Sequence, residues 1–355
     1  MITEIGVNEK EKWNKTVHSF TNYDVFYLNE YVSAFMKENE SNGEPVLLYY
    51  ENGSDRAMNV LFKRDIALDE HMKARLEKGH YFDLITPYGY GGFWGRVVDY
   101  DALNQNYNEY CQSRHYVCEF VRFELFSDYY KHYDGVVETR THNVVRSLDM
   151  SIDEIWLDFK QKVRKNVKRA MKNNLKIIIE NTGEDLEDFF EIYYSTMNRS
   201  NAEQEYYFSK GFYETLNQMR DNIMYFHVEY EGKIISTELV IYGSENAYSY
   251  LGGTNREYFD LRPNDFLKYE IIKWVKAKGL KNFVLGGGYG SDDGIFQYKA
   301  CLAPNGVKDF YIGRKILDKT AYDSLCEIRK VKSNSMNLKE IGFFPEYRGN
   351  ISLSN

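Results

Sequence analysis

The sequence predicts an α+β protein in which two similar halves each build a mixed sheet. The chain has 355 residues, more than one ordinary core holds and enough for two domains of about 150 residues each. Its 32 Tyr and 22 Phe favour sheet, while only 5 Pro argue against long disordered linkers. The same order of elements (helix, helix, β-hairpin, strand, helix, strand) occurs twice. Two equivalent passes indicate a duplicated fold.

The first half opens with two amphipathic helices. Trp13, Val17 and Phe20 share one face of the first helix. Asn52 and Gly53 form a strong hairpin signal between two apolar runs. The predicted helices are 9–20, 28–38 and 102–114, and the predicted strands are 45–50, 57–64, 81–85 and 115–125.

The second half repeats this order after a long basic helix, residues 152–173, that links the halves. Gly279 marks a helix end, because glycine readily adopts the left-handed conformation that stops a helix. The predicted helices are 184–198, 209–219, 264–278 and 294–301, and the predicted strands are 224–230, 234–242, 247–252, 282–285 and 308–312. The domains predicted from this order are 1–150, 151–320 and a peripheral C-terminal segment, 321–355.

Charge and composition exclude several classes of protein. A net charge of −8 argues against wholesale binding of nucleic acid. No run of eighteen apolar residues exists to span a membrane, and the N-terminus lacks a basic leader followed by an apolar run. The 4 Cys are too scattered for a disulfide framework, and no His/Cys pair has zinc-ligand spacing. We therefore expect a reduced, cytoplasmic protein without a structural metal.

The first candidate for chemistry is a glycine-rich segment, residues 86–93, directly after a predicted strand. Gly91 and Gly92 let backbone approach a ligand closely, and Tyr88 and Tyr90 offer stacking faces and hydroxyl groups. The alternative is a tight turn with core aromatics. The spacing does not match the phosphate-binding GxGxxG pattern.

The basic linking helix is the second candidate. Apolar residues at helical spacing separate its cations, which predicts an amphipathic helix with a cationic face. It is either a solvated surface helix or a platform for an anion such as a nucleotide, a tRNA or a lipid pyrophosphate. The cations are Lys160, Lys162, Arg164, Lys165, Lys168, Arg169, Lys172 and Lys176.

Two further segments lie in the second half. The first runs from Tyr250 through Arg262 and Asn264 into a helix start, where free N–H groups and an arginine suit a carboxylate or other anion. Its alternative is an ordinary helix cap, formed by Asn264 or the following aspartate, beside a surface arginine.

The second segment, residues 285–302, carries four glycines within five residues at the end of a strand. Gly287 would make room for substrate at the sheet edge, and Asp292 or Asp293 could orient or deprotonate an attacking amine. Lys299 could hold a phosphate or stabilise an oxyanion. The alternative is a glycine-rich loop with an exposed lysine.

Taken in order, four motifs make the chain resemble the Fem-type transferases, which form peptidoglycan bridges, and their acetyltransferase-like (GNAT-like) relatives from polysaccharide gene clusters. The resemblance covers about residues 20 to 315. The motifs are Pro87-Tyr-Gly-Tyr-Gly-Gly92, Lys162-Val-Arg-Lys-Asn-Val-Lys-Arg-Ala170, Arg262-Pro-Asn264 and Asp293-Gly-Ile-Phe-Gln-Tyr-Lys299.

The resemblance implies two tandem GNAT-like units with a cleft between them. It also implies transfer of an amino acid from aminoacyl-tRNA to an amine of a nucleotide- or lipid-linked muropeptide, with no further cofactor. Lys299 stands where the family has a lysine near the transferred carbonyl, and Arg199 and Tyr206 resemble a region that lines the acceptor cleft. The chain lacks the long coiled-coil insertion that some members carry, which leaves the tRNA contact attributed to that insertion without a counterpart.

Two other functions are compatible with the sequence. The first is a coenzyme A-dependent N-acyltransferase that takes acetyl-coenzyme A as donor and acts on an amino sugar. Such enzymes carry a glycine-rich Q/R-x-x-G-x-G/A loop at the junction before the helix, whereas residues 255–265 contain no glycine. The second is a non-catalytic protein that binds a sugar nucleotide or a peptide.

Overall fold

A computed structural model describes residues 1–38, 43–183, 186–288 and 293–349 of the chain. The chain forms two compact units. Unit 1 consists of residues 1–20, 26–140 and 310–355, and unit 2 of residues 21–25 and 141–309. The boundary therefore lies near residue 140, and the chain returns to unit 1 after residue 309.

The helices and strands are numbered along the chain. The helices are α1 (Lys10–His18), α2 (Asn29–Glu38), α3 (Tyr100–Gln112), α4 (Ile152–Asp158), α5 (Gln161–Lys172), α6 (Glu187–Ser200), α7 (Lys210–Leu216), α8 (Pro263–Ala277), α9 (Gly294–Leu302) and α10 (Lys319–Arg329). The strands are β1 (Ile2–Gly6), β2 (Glu44–Asn52), β3 (Asp55–Asp65), β4 (Phe82–Ile85), β5 (Trp94–Arg96), β6 (Tyr116–Arg122), β7 (Val136–Ser147), β8 (Lys176–Glu180), β9 (Ile223–Tyr230), β10 (Lys233–Tyr242), β11 (Asn246–Thr254), β12 (Asn282–Gly286) and β13 (Val307–Ile316).

In unit 1 the strands follow the order β1-β2-β3-β4-β6-β13, and β5 pairs with β3. The predicted hairpin is confirmed, since Asn52 pairs with Asp55 at the turn between β2 and β3. Strands β4 and β6 are parallel and α3 connects them, while the other neighbours pair antiparallel. Apolar residues from both sheet and helix, such as Leu61, Leu103 and Val121, form the core.

In unit 2 the strands follow the order β7-β12-β11-β10-β9-β8. Again one pair, β11 and β12, is parallel with a helix, α8, between them. Both units therefore combine an antiparallel run with one parallel crossover, so the predicted α+β class and the repeated order of elements are confirmed. As predicted, α8 stops before Gly279, which adopts φ +84°.

The two parallel strands of unit 2 pair only at their beginnings. Residues 246–248 of β11 pair with residues 282–284 of β12, although both strands continue. The register between β10 and β11 shifts at the same level, since Leu239 faces Leu251 whereas Val240 faces Ser249. Tyr250 is the extra residue of this bulge. Bulges bend a strand and re-aim side chains, and they are frequent beside functional sites.

The single linking helix predicted at 152–173 is wrong, because the chain forms two helices, α4 and α5. Phe159 and Lys160 between them are extended, with ψ near 142° and 145°. Phe159 is buried, and the Lys160 N–H donates to the Cys301 carbonyl over 3.0 Å. The Arg164 guanidinium donates to the carbonyls of Leu157 and Phe159, at 2.5 and 2.7 Å. These contacts stabilise the break.

The prediction that residues 321–355 are peripheral is also wrong. Tyr322 and Leu325 of α10 are buried in a core cluster of unit 1. Arg348 donates to Asp83 over 2.5 Å and to Asp69 over 3.0 Å, and Asp83 is fully buried. The buried side chains of α10 lie at helical spacing in the sequence, whereas the ion pairs of Arg348 leave no periodic signal.

Candidate active site

Lys299, the central residue of the predicted site, reaches back to the glycine-rich strand end. It lies on α9 and is half-buried. Its Nζ donates to the Gly287 carbonyl oxygen over 2.6 Å. Since an ammonium group has three N–H donors, two remain for other acceptors. The structure thus joins the predicted residues Lys299 and Gly287.

The glycines at the end of β12 leave little space for side chains. A Cβ on Gly286 would lie 3.3 Å from the Lys299 Nζ, and one on Gly287 would lie 2.8 Å from the His142 carbonyl oxygen. Asn143, which is buried on β7, is within 4 Å of both Cβ positions. Glycine at these positions lets backbone and ammonium group come together.

Asp293 caps the helix that carries Lys299. Its carboxylate accepts the Phe296 N–H over 2.8 Å, which satisfies an N–H group that helices leave unpaired at their beginning. A Cβ on Gly288 would lie 2.4 Å from both Asp293 carboxylate oxygens. Asp292 lies outside the described residues. A role as base stays a prediction for both acids.

A buried ion pair that sequence reasoning missed lies in the same unit. Glu238 of β10 and Lys268 of α8 are 4 % and 6 % exposed. The Lys268 Nζ donates to Glu238 Oε2 and, over 2.6 Å, to the hydroxyl of Ser249. Glu238 follows Ser236 and Thr237 on β10, and Lys268 is one of several charged residues on α8, so no local pattern marks either of them.

The surroundings of Lys299 lower the pKa of its ammonium group. Burial and, to a smaller extent, the positive charge of Lys268 lower the pKa of the Lys299 ammonium to about 8, although Glu238 and Asp293 oppose the shift. A perturbed pKa on a partly buried lysine is frequent at functional sites. Lys299 is thus both a hydrogen-bond donor and a group that titrates near neutral pH.

The beginning of α8 does not form the predicted cap. Arg262 precedes it with φ +62° and makes no side-chain cap, while Asn264 is already its second residue. Pro263, the first residue, has no N–H to offer an anion. Asp265 is 8 % exposed, accepts from Asn166 over 3.1 Å, and has its pKa raised to about 6 by burial. A carboxylate at this position disfavours a pyrophosphate.

The other predicted substrate contacts of unit 2 are spread over α6, the segment that follows it and β11. The exposed Arg199 guanidinium lies 5.2 Å from the Phe259 ring centroid, and burial together with Arg256 lowers its pKa. The Tyr206 carbonyl accepts the Tyr193 hydroxyl over 2.7 Å. Tyr250 is half-buried at the β11 bulge. Their contacts with substrate remain predictions.

Glycines of the Tyr250–Thr254 segment have a packing role. A Cβ on Gly253 would lie 2.4 Å from the Thr196 hydroxyl oxygen of α6, and one on Gly252 would lie 2.5 Å from the Thr237 carbonyl oxygen. Glycine here permits α6 to pack closely on β11.

In unit 1 the glycine-rich turn is held by core tyrosines. The hydroxyl of Tyr27 donates to the Gly92 carbonyl, and that of Tyr31 to the Tyr88 carbonyl, each over 2.8 Å. The Gly91 N–H donates to the Arg122 carbonyl over 2.7 Å.

The aromatic rings of this turn differ in exposure. Tyr90 makes edge contacts with Phe26 and Phe310, whereas the Tyr88 ring is 44 % exposed. The alternative of a structural turn therefore accounts for Tyr90, Gly91 and Gly92, and Tyr88 keeps the face most accessible to a ligand.

Helix α5 has the predicted cationic face. Val163, Val167 and Ala170 are buried, and the exposed cations are Lys162, Lys165, Lys168, Arg169 and Lys172. Over residues 1–38, 43–183, 186–288 and 293–349, none of these five forms a salt bridge. Arg164 and Lys176, by contrast, have partners within the protein.

No helix in the described part of the chain is long and apolar enough to cross a membrane. Over the same residues, no group of three or more His, Cys, Asp or Glu side chains is arranged to hold a metal ion.

Comparisons with known proteins identify relatives of this chain. Residues 159–300 match the family described as an acetyltransferase (GNAT) domain. The chain is 24% identical over 317 residues to the UDP-N-acetylmuramoylpentapeptide-lysine N(6)-alanyltransferase of Weissella viridescens, covering 81% of this chain and 88% of the relative.

Solved structures show the same fold. The crystal structure of FemX superimposes with a TM-score of 0.68 at 14% identity, over 91% of this chain and 99% of that one. A second structure is the C-terminal domain of a putative lysylphosphatidylglycerol synthetase from Agrobacterium fabrum. It superimposes with a TM-score of 0.53 at 12% identity, over 89% of this chain and 94% of that one.

The chain is accordingly an acyltransferase built on acetyltransferase-like units. Its resemblance to the Fem-type peptidoglycan aminoacyltransferases, predicted from four motifs, is confirmed.

Proposed function

We propose that this chain transfers an amino acid from aminoacyl-tRNA to a primary amine of a nucleotide- or lipid-linked muropeptide. The observation that carries the proposal is the Lys299 ammonium, held 2.6 Å from the Gly287 carbonyl at the end of β12. The similarity to the Weissella viridescens alanyltransferase supports the choice of substrates. We further propose that the reaction takes place in the cytoplasm, where charged tRNA is available.

In the proposed reaction the acceptor nitrogen attacks the carbonyl carbon of the aminoacyl ester. A C–N bond forms, the C–O bond to the terminal ribose breaks, and the proton lost by the amine ends on the ribose oxygen. Negative charge develops on the carbonyl oxygen before the ester breaks. A free N–H of Lys299 would stabilise that charge, as oxyanion-hole donors do.

Direct attack needs no covalent enzyme intermediate. The amine has to be neutral when it attacks, so a base must accept its proton. Asp292 and Asp293 are the two predicted bases, and Asp293 is the one that lies within the described residues. Because the Asp293 carboxylate also caps α9, it would act without leaving the helix that carries Lys299.

A coenzyme A donor is the second candidate, since the matched domain is an acetyltransferase domain. The start of α8 speaks against it. The segment before the helix is glycine-free, Pro263 removes one backbone donor, and the buried Asp265 would repel a pyrophosphate.

The test is a transfer assay with purified protein, labelled aminoacyl-tRNAs and a UDP-linked muropentapeptide. We expect label to appear on the muropeptide, to require intact charged tRNA and to be lost in Lys299→Ala. Acetylation of an amine from acetyl-coenzyme A, without transfer from any charged tRNA, would establish the second candidate instead. Binding of the muropeptide without turnover of any donor would indicate a binding protein.

A further inference from the structure

Glu238 has a carboxylate oxygen that the protein does not use. Oε2 of Glu238 accepts from Lys268, but Oε1 is buried and has no hydrogen-bond partner in the described portion of the chain. Leaving a buried carboxylate oxygen unpaired is costly, so buried acceptors without partners are rare in folded proteins. A ligand that reaches this oxygen would supply the missing donor.

The hydroxyl of Tyr298 is in the same situation. It is buried without a hydrogen-bond partner across the described residues, and it belongs to α9, one residue before Lys299. Burial raises its pKa, and the negative charges of Asp265 and Glu238 raise it further. The hydroxyl is thus protonated at neutral pH and lies within electrostatic range of both carboxylates.

Four charged side chains of this region are buried or half-buried. Glu238, Asp265 and Lys268 on β10 and α8 are buried, and Lys299 on α9 is half-buried. Lys268 donates to only one oxygen of Glu238, and Lys299 donates to the Gly287 carbonyl. The second oxygen of Glu238 therefore lacks a cationic donor among the residues that the structure describes, and a desolvated carboxylate attracts one strongly.

We propose that Glu238 and Tyr298 form a subsite for the α-ammonium group of the aminoacyl donor. The inference rests on the proposed function, and it names the feature by which the enzyme would distinguish an aminoacyl group from a plain acyl group. A primary ammonium has three donors, which suit the free oxygen of Glu238 and the oxygen of Tyr298. Its positive charge would be attracted by the carboxylate of Glu238.

The position of Lys299 agrees with this assignment. The α-ammonium is attached to the carbon next to the carbonyl, so a site for it must lie close to the group that holds the carbonyl oxygen. Glu238 acts electrostatically on both Lys299 and Tyr298. Lys299 and Tyr298 are also neighbours on α9. One end of the donor would therefore contact adjacent residues.

The test compares two donors that differ only at the α position. The first is the aminoacyl-tRNA that the enzyme uses best, and the second is its hydroxyacyl counterpart, made by deamination of the same charged tRNA. The measured quantity is the ratio of kcat/KM for the two donors. We expect wild type to prefer the aminoacyl donor by about 10-fold or more, as for a hydrogen bond to a charged group.

Three variants separate recognition from stability. Glu238→Gln should abolish most of the preference. Glu238→Gln combined with Lys268→Met removes both partners, so no buried ammonium is left unpaired if the single variant folds poorly. Tyr298→Phe removes only an unpartnered hydroxyl and should reduce the preference several-fold. Tyr50→Phe, which removes an unpartnered buried hydroxyl in unit 1, is the matched control and should keep the wild-type ratio.

A ratio unchanged in all three variants would overturn the subsite, even where overall rates fall, because a purely structural role affects both donors equally. Absence of transfer from both donors in wild type would instead overturn the proposed function. The two failures are therefore distinguishable.

Discussion

The Lys299 Nζ donates to the carbonyl oxygen of Gly287 over 2.6 Å, which joins α9 to the glycine run at the end of β12. This hydrogen bond fixes an ammonium group at the level where β11 and β12 no longer pair. The contact depends on residue 287 having no side chain, since a Cβ there would meet the His142 carbonyl. The glycine run and the lysine therefore form one structural feature.

Replacing Lys299 by alanine should lower kcat by a factor of about 100 or more, the usual effect of losing an oxyanion donor. The fold should remain intact, because Lys299 forms no salt bridge in the described ranges. Steady-state transfer kinetics measure the loss, and circular dichroism checks the fold. Near-normal turnover would remove Lys299 from the mechanism.

The pKa of Lys299 predicts how the rate depends on pH. The protonated form donates to the carbonyl oxygen, and its pKa is lowered to about 8 by burial. The value of kcat/KM should therefore fall as pH rises through about 8. Lys299→Arg stays protonated over this range and should lose the alkaline decline. A decline that persists at the same pH in that variant would assign it to another group.

Gly287→Ala tests the close approach at the strand end. The added Cβ would lie 2.8 Å from the His142 carbonyl oxygen, so the backbone that accepts from Lys299 must shift. Because small displacements of catalytic groups lower rates strongly, we expect a loss of at least about 10-fold in kcat. Gly294→Ala on the same segment meets nothing within 4 Å and should retain activity. Equal activity of the two variants would contradict the argument.

Much of this architecture could be predicted from sequence, and the failures have physical reasons. Periodicity and turn residues located the repeated helices and strands, because these elements bury one face each. The break between helices α4 and α5 at Phe159 was missed because the helical spacing of apolar residues continues across it. The extended backbone there is fixed by a long-range hydrogen bond from the Lys160 N–H to the Cys301 carbonyl. Tertiary contacts of this kind leave no local signal.

The candidate site divides in the same way. Lys299 could be predicted because it belongs to a family motif, and Gly287 because it belongs to a glycine run at a strand end. Glu238, Lys268 and Tyr298 were missed because no local pattern singles them out, and only the fold pairs Lys268 with Glu238 and brings Tyr298 within electrostatic range of Glu238. The free oxygen of Glu238 is visible only when every donor around it is known.

The ion pairs of the C-terminal segment predict a stability effect. Arg348 donates to the buried Asp83, whose pKa is lowered by Arg348 and Arg64 in spite of its burial. Arg348→Met leaves that carboxylate with one partner fewer and should lower the free energy of unfolding by about 3 kcal/mol.

Urea unfolding measures the change, and Lys332→Met, at an exposed position, should stay within about 0.5 kcal/mol of wild type. Since the folded pKa of Asp83 is below its unfolded value, its contribution is fully present above the unfolded pKa and is lost as pH falls through the folded pKa. If both variants changed the free energy of unfolding by the same small amount, residues 321–355 would be peripheral after all.

The cationic face of α5 predicts salt-dependent binding of a polyanionic donor. Lys165 and Arg169 are exposed and form no salt bridge in the described chain, so they are available to phosphates. Reversing both charges should weaken tRNA binding at least about 10-fold and reduce the slope of log affinity against log salt by about 2, because each lost contact no longer releases a counterion. Fluorescence titration at several salt concentrations measures both quantities.

The matched control reverses the charges of Lys332 and Lys339, which are exposed on unit 1. Identical affinities and slopes for the two double variants would show that the α5 face is a solvated surface, and the donor would then have to bind elsewhere.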